Sequence, residues 1–196
     1  MKKSLIIIGG IVLLVIILFS WGSGMYNGLI NKQEAVTSQW AQVENVYQRR
    51  ADLIPNLVST VKGYADFEKQ TLTDVITARS KATSVTIDPT KLNETNIQQF
   101  QQAQNGLSSA LSRLMVVVER YPDLKANQGF LQLQAQLEGT ENRIAVERRN
   151  FNTIAQDYNT NIRRFPRNIF ASIFGFDKKA YFKADTGAEK APKVTF

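Results

Sequence analysis

The chain opens with MKKSLIIIGGIVLLVIILFSW, and this stretch constrains everything downstream. Lys2 and Lys3 precede an uncharged, almost wholly apolar run from Leu5 to Phe19, closed by Trp21, and no charge follows until Lys32. A helix that crosses a bilayer needs roughly 20 apolar residues, with a lower limit near 17. Ser4 to Trp21 meets that limit, and Trp21 suits the headgroup level. A cleaved signal peptide is the competing reading, with Gly22-Ser23-Gly24 as a small-residue cleavage site. The run is longer than the usual apolar core of about 7–15 residues in a signal peptide, so a retained anchor is the expectation. Two lysines and the free amine on the near side outweigh Lys32 beyond the far end. The positive-inside rule then puts the N-terminus in the cytoplasm and the rest of the chain outside.

Absent residue types narrow the chemistry. The sequence contains no Cys and no His. Disulfides, thiol nucleophiles, serine triads and the usual zinc sites are therefore excluded, along with the commonest general base. Net charge is +7. Nucleic acid is one counterpart for such a balance, but the Arg pairs 49–50, 148–149 and 163–164 are scattered among Gln and Asn, with no nucleic-acid module around them. A solvated helical surface, or an anionic membrane surface, is the better reading. No cofactor or metal is expected.

Beyond the anchor the periodicity is helical throughout. Val36, Trp40, Val43 and Tyr47 alternate steps of four and three, which places them on one helix face. Ile54, Leu57, Val58, Val61, Tyr64, Leu72, Val75 and Ile76 continue after Pro55. Phe100, Leu107, Leu111, Leu114, Val118 and Tyr121 form a third stripe. A fourth is formed by Phe130, Leu133, Leu137, Ile144, Phe151, Ile154, Tyr158 and Ile162. Ile87-Asp88-Pro89-Thr90 reads as a loop, and Tyr121-Pro122 as a helix end. Pro55 removes a backbone donor and crowds the preceding turn. The register nevertheless runs through it, so one kinked helix competes with a break capped by Asp52. Length favours the break, because it yields four helices of similar length, about 40–57 Å each. A single helix through Pro55 would leave the Trp40–Tyr47 face without a partner in the same chain. The expected fold is all-α: a transmembrane helix, then an antiparallel up-and-down bundle of four long helices, the first two fused only if Pro55 is a kink, and a short aromatic C-terminal segment.

Ordered blocks along the chain resemble the LemA family. Tyr26-Asn27-Gly28-Leu29-Ile30 and Trp40 match its start, and residues 49–58, RRADLIPNLV, match its central signature. Val61-Lys62-Gly63-Tyr64, Glu68 and Ala78-Arg79 continue it, followed by residues 121–127, YPDLKAN, and 137–144, LEGTENRI. Tyr158-Asn159, Phe165-Pro166 and Phe174-Gly175-Phe176 complete it. The resemblance spans nearly the whole chain except the tail after Phe182. It implies a bacterial protein with one N-terminal membrane segment and a helical-bundle domain. It supplies no catalytic residue, activity or cofactor. The expected organisation is an anchor over 1–24, a LemA-like bundle over 25–164, an aromatic and basic segment over 165–182, and a flexible tail over 183–196.

Seven residues stand out as interaction candidates. Arg49, Arg50, Asp52 and Asn56 cluster at the Pro55 irregularity, either as a docking surface or, more simply, as a helix cap with solvated arginines. Phe170, Phe174 and Phe176 lie in a stretch with Phe165, Tyr181, Phe182 and several Arg and Lys. An even number of bundle helices returns this stretch to the membrane side, where it would lie in the interface or simply close the bundle end. Glu138, Glu141 and Glu147 are interleaved with arginines and read as ion-pair partners before they read as a site. A Glu68 or Glu141 facing Arg50 or Arg148 across the bundle would lock its register. Gly106 and Gly139 mark close helix approach or merely cost stability. The functional expectation is a non-catalytic scaffold or interaction protein in the cytoplasmic membrane of a bacterial envelope. Its partners would be the lipid bilayer, other envelope proteins and further copies of itself. The alternative is an envelope module that binds a peptide or lipid, or regulates a membrane enzyme.

Overall fold

The computed structural model describes residues 2–63 and 68–183, so the expected Tyr64 position and all of the expected tail except Lys183 lie outside it. The first element, α1, is a single helix from Lys2 to Lys62, 61 residues long. From Ile6 to Phe19 its apolar side chains all face outward, so one helix long and apolar enough to cross a membrane leads directly into the bundle.

Pro55 does not break α1, contrary to the expectation from length. A helical proline orphans the carbonyl four residues earlier. Here that carbonyl belongs to Ala51, and it accepts a 2.7 Å hydrogen bond from Arg79 Nε on the neighbouring helix. Asp52 caps nothing; its carboxylate accepts from Gln48 one turn back, at 2.7 Å. The break falls instead after Lys62, and the remaining helices are unequal. α2 runs Lys69–Ser84 and α3 runs Glu94–Val118. A single turn, α4, runs Pro122–Lys125, then α5 runs Gln128–Arg163 and α6 runs Arg167–Phe174. The connections have local causes. Asp88 accepts from the Thr90 amide at 2.9 Å and starts a 3₁₀ turn over Pro89–Lys91. Asn93 caps α3 through the Asn96 amide, and Asn127 caps α5 through the Phe130 amide. Pro122 stands at the first position of α4, where its missing N–H costs nothing.

α1 and α5 run antiparallel in close register. Trp40 meets Phe151 with ring centroids 5.5 Å apart, and ten residues further along α1, Arg50 meets Glu141, ten residues back along α5. The Trp40–Tyr47 face is therefore covered within the chain, because the 36-residue α5 reaches it. Buried residues follow seven-residue repeats: Leu29, Val36, Val43, Arg50 and Leu57 on α1, and Phe130, Leu137, Ile144, Phe151 and Tyr158 on α5. That spacing keeps each stripe aimed at its neighbours over many turns.

The interior divides into two apolar clusters. The one nearer the apolar end of α1 holds Trp40, Tyr47, Phe100, Phe151, Tyr158, Phe176 and Phe182. The distal one is mostly aliphatic, with Ile54, Leu57, Leu107, Leu114, Leu124 and Leu137 around one buried ring, Phe130, and with the half-buried Tyr121 packed against it. Gly106 and Gly139 mark no close approach, since a Cβ at either would meet nothing within 4 Å.

Candidate functional site

Between the two clusters lies a polar layer centred on Arg50. Its side chain is 1% exposed, so the expectation of solvated arginines holds for Arg49 but not for Arg50. Nη1 donates to Ser108 Oγ at 2.8 Å and to Glu141 Oε1 at 2.5 Å. Nη2 donates to the Gln104 carbonyl at 3.2 Å and to its side-chain oxygen at 2.7 Å. The guanidinium also lies 5.1 Å from the Tyr47 ring centroid, a cation–π distance. Gln104 passes the network on, donating to the Ala82 carbonyl at 3.1 Å. Two of these residues occupy core steps of their helices, Arg50 in the α1 stripe and Gln104 between Phe100 and Leu107 on α3; the half-buried Arg79, which holds the Ala51 carbonyl, sits likewise between Val75 and Ala82 on α2. A buried charge needs such partners; of the three guanidinium nitrogens only the buried Nε lacks one. Glu141 retains 44% exposure, so the pair is buried on one side only.

The layer organises the bundle and has little to offer a ligand. Arg50 is inaccessible and committed to its neighbours. Asn56 and Asp52 are exposed on the opposite side of α1. Glu138 accepts from Gln134 at 3.0 Å, and Glu147 accepts from Gln39 at 2.7 Å. Glu68 faces neither Arg50 nor Arg148; it pairs with Arg120 at 2.7 Å. Burial pushes the Glu44 carboxyl above its usual value, partly offset by the Trp40 indole. Among the described residues no group of three acidic side chains converges to hold a metal ion.

The second candidate region is the chain after α5. Gly175 ends α6 with φ 72°, a left-handed turn that glycine adopts without strain. Residues 176–183 then run back along α5 as an extended strap. Asn159 Nδ2 donates to the Lys179 carbonyl and Asn159 Oδ1 accepts from the Lys179 amide, both at 2.8 Å. Asn152 treats Phe182 in the same way, at 2.9 and 2.8 Å. Seven helical residues rise about 10.5 Å, and three extended residues span about 10 Å. Each asparagine therefore meets the strap in register and satisfies one residue's N–H and C=O together. Lys179 is buried and donates to the Thr90 carbonyl at 2.6 Å. Burial holds its amine below the ordinary lysine value, and nearby Asp177 and Asp88 oppose that shift. The buried Tyr158 phenol is pushed up to about 12 by desolvation and by Asp177.

The three candidate phenylalanines part company here. Phe176 is 8% exposed and packs on Tyr26 at 5.7 Å, so it closes the bundle end. Phe170 meets Trp21 edge-on at 6.1 Å, while Phe174, 54% exposed, meets Tyr26 at 4.9 Å. Thus α6 docks on α1 where the apolar run ends. Gly22 permits the contact: a Cβ there would stand 3.3 Å from the Phe170 ring. Ile169, Ile173 and Phe165 point outward from this foot, at 50%, 70% and 81% exposure. Arg79, Gln104, Asn152 and Asn159 were not expected as determinants. The signal for Arg79 and Gln104 is a polar residue on an apolar step; the signal for the asparagines is their seven-residue spacing.

The LemA family model matches residues 39–196. Protein LemA of Metamycoplasma hominis is 28% identical over 161 residues, which cover 82% of this chain and 70% of that protein. Magnetosome protein MamQ 2 of Paramagnetospirillum magneticum is 27% identical over 191 residues, covering 87% and 68% respectively. Magnetosome protein MamQ of Magnetospirillum gryphiswaldense is 27% identical over 176 residues, covering 80% and 64%.

Proposed function

The chain belongs to the LemA family, and from that premise we propose that it is a non-catalytic, membrane-anchored scaffold of the bacterial cell envelope. Its N-terminus lies in the cytoplasm, and its bundle stands outside the cytoplasmic membrane. The observation that carries this reading is the continuity of α1, which passes from the apolar span into the bundle core without a linker. From Trp21 to Lys62 the helix extends about 60 Å. A bundle mounted this way is held at a set height and angle, which suits a protein that presents surfaces to others rather than one that closes around a substrate. The absence of His and Cys and the pairing of Glu138, Glu141 and Glu147 with amides or arginine support the non-catalytic part. The charge difference across the span supports the orientation.

Extraction of the full chain into nanodiscs of its own membrane, followed by mass measurement of the particles, tests the scaffold role. Other membrane proteins, or further copies of the chain, at fixed stoichiometry are the expected result. Particles holding one copy and lipid alone would overturn it.

A further inference from the structure

A groove of about 520 Å³ lies between α1 and α6, floored by Gly22 and walled by Leu18, Phe19, Trp21, Phe170 and Phe174. Its walls are almost wholly apolar. Tyr26 lines it as well, and the Ser23 hydroxyl is already used on the Ser20 carbonyl at 3.0 Å. An open apolar groove of this size costs free energy in water. Here, however, one wall is the last turn of the apolar run, so the groove opens at headgroup level into the acyl boundary. Along the sequence from 158 to 176 the charge has one sign. Arg163, Arg164 and Arg167 precede or open the helix, and no carboxylate occurs between Asp157 and Asp177. Arg163 and Arg164 are exposed, whereas Arg167 is half-buried and already donates to Asn161 Oδ1.

We propose that the α1–α6 groove is a lipid site that seats an acyl chain of an anionic phospholipid, with the phosphate against the arginines that flank α6. The apolar walls select a chain over a polar ligand, and the groove's continuity with the span places lipid at its mouth. The arginines supply the headgroup preference, as guanidinium groups do for phosphate. Outward-facing Ile169 and Ile173 sink into the same boundary beside the bound lipid. This assignment does not depend on the scaffold reading; it requires only that the span be in a bilayer.

Trp21 reports on the groove directly. The full chain is placed in nanodiscs of phosphatidylcholine containing a small fraction of phosphatidylglycerol, with brominated acyl chains carried by one lipid or the other. The Trp21→Phe chain supplies the background from Trp40, which is sealed in the bundle. Brominated phosphatidylglycerol should quench Trp21 as if enriched about fivefold or more over its bulk fraction. Arg163→Gln with Arg164→Gln should bring that enrichment down toward one while retaining quenching by either lipid. Phe174→Ser in one wall, and Gly22→Leu in the floor, should lower quenching by both lipids. The Trp40 emission shows whether each variant keeps its bundle. Equal quenching by both lipids at their bulk fractions, unmoved by these substitutions, would overturn the site. So would a Trp21 shielded from every brominated lipid, since that result means a second copy or another protein fills the groove.

Discussion

The proximal half of the bundle, nearer the apolar end of α1, and the distal half share the same helices but close their interiors by different means. In the distal half four helices surround the core, and aliphatic side chains with one buried ring fill it. In the proximal half α1 and α5 continue beyond the α2–α3 pair, and beside them lie the loop between α2 and α3, the first turns of α3 and the short α6. Two helices cannot enclose a core. Large rings and the extended strap supply the missing volume and the missing wall. Trp40 touches Phe100 and Phe151 edge-on and stacks on Phe182 of the strap at 5.9 Å. The comparison teaches that a seven-residue repeat sets which way side chains point, while the number of neighbouring elements sets how large they must be.

The largest test falls on the ring cluster. Trp40→Ala should cost about 3–5 kcal/mol in denaturant unfolding. Hydrogen exchange should then rise in α5 from 144 to 162 more than in α3 from 107 to 118. Equal rises would mean that the halves are one cooperative unit. Next is the layer between them. Arg50→Ala should cost about 3 kcal/mol, at the lower end for a buried pair because Glu141 keeps solvent access. Replacing Arg50, Gln104 and Glu141 together by Met, Leu and Leu should be near neutral in stability. Cysteine cross-links between α1 and α5 would show whether register is then lost.

The strap is the next largest. Asn152→Ala leaves the Phe182 amide and carbonyl without their partner, which should cost about 1–3 kcal/mol. Its mark should be faster exchange at 179–183 with the distal half unmoved. A distal counterpart is Arg79→Ala, which should cost about 1 kcal/mol by stranding the Ala51 carbonyl. Pro55→Ala restores an intrahelical N–H and should rescue much of that loss in a double-mutant cycle. The smallest effect is a pH profile confined to the proximal half. Lys179 binds its proton more weakly when folded, so stability should rise with pH until the ordinary lysine range is passed. Tyr158 is held neutral up to about 12, so stability should fall as pH climbs from the ordinary tyrosine value of about 10 toward that point. Lys179→Met should flatten the rise, and Tyr158→Phe the fall.

Helix class, the loop at Asp88-Pro89 and the apolar faces were legible because they rest on local periodicity and turn chemistry. The fate of Pro55 was not, since it depends on a side chain 28 residues away offering an N–H to one carbonyl. Once the break was assumed, four equal helices followed from length alone. The resulting picture hid the reach of α5 and the unequal halves. Arg50 illustrates a second limit. Arginine beside arginine suggests solvent, and only the count of steps from Trp40 through Tyr47 to Ile54 puts position 50 indoors. The strap was legible as aromatic and basic, but its clamp was not. An asparagine holding both backbone groups of one residue carries no local pattern; it requires the two segments to be brought together.

If α1 spans a bilayer as proposed, its continuity makes the molecule a lever pivoted at the bilayer surface. If the helix stays straight, a change of about 10° in the angle at which its apolar end crosses the membrane would sweep the far tip through roughly 10 Å. A bilayer that thins or thickens alters that angle directly, so the distal end would register membrane thickness as lateral displacement. With α6 bearing on that surface to one side of the fulcrum, as the lipid-site proposal has it, the swing in that direction would be resisted and the opposite one left free.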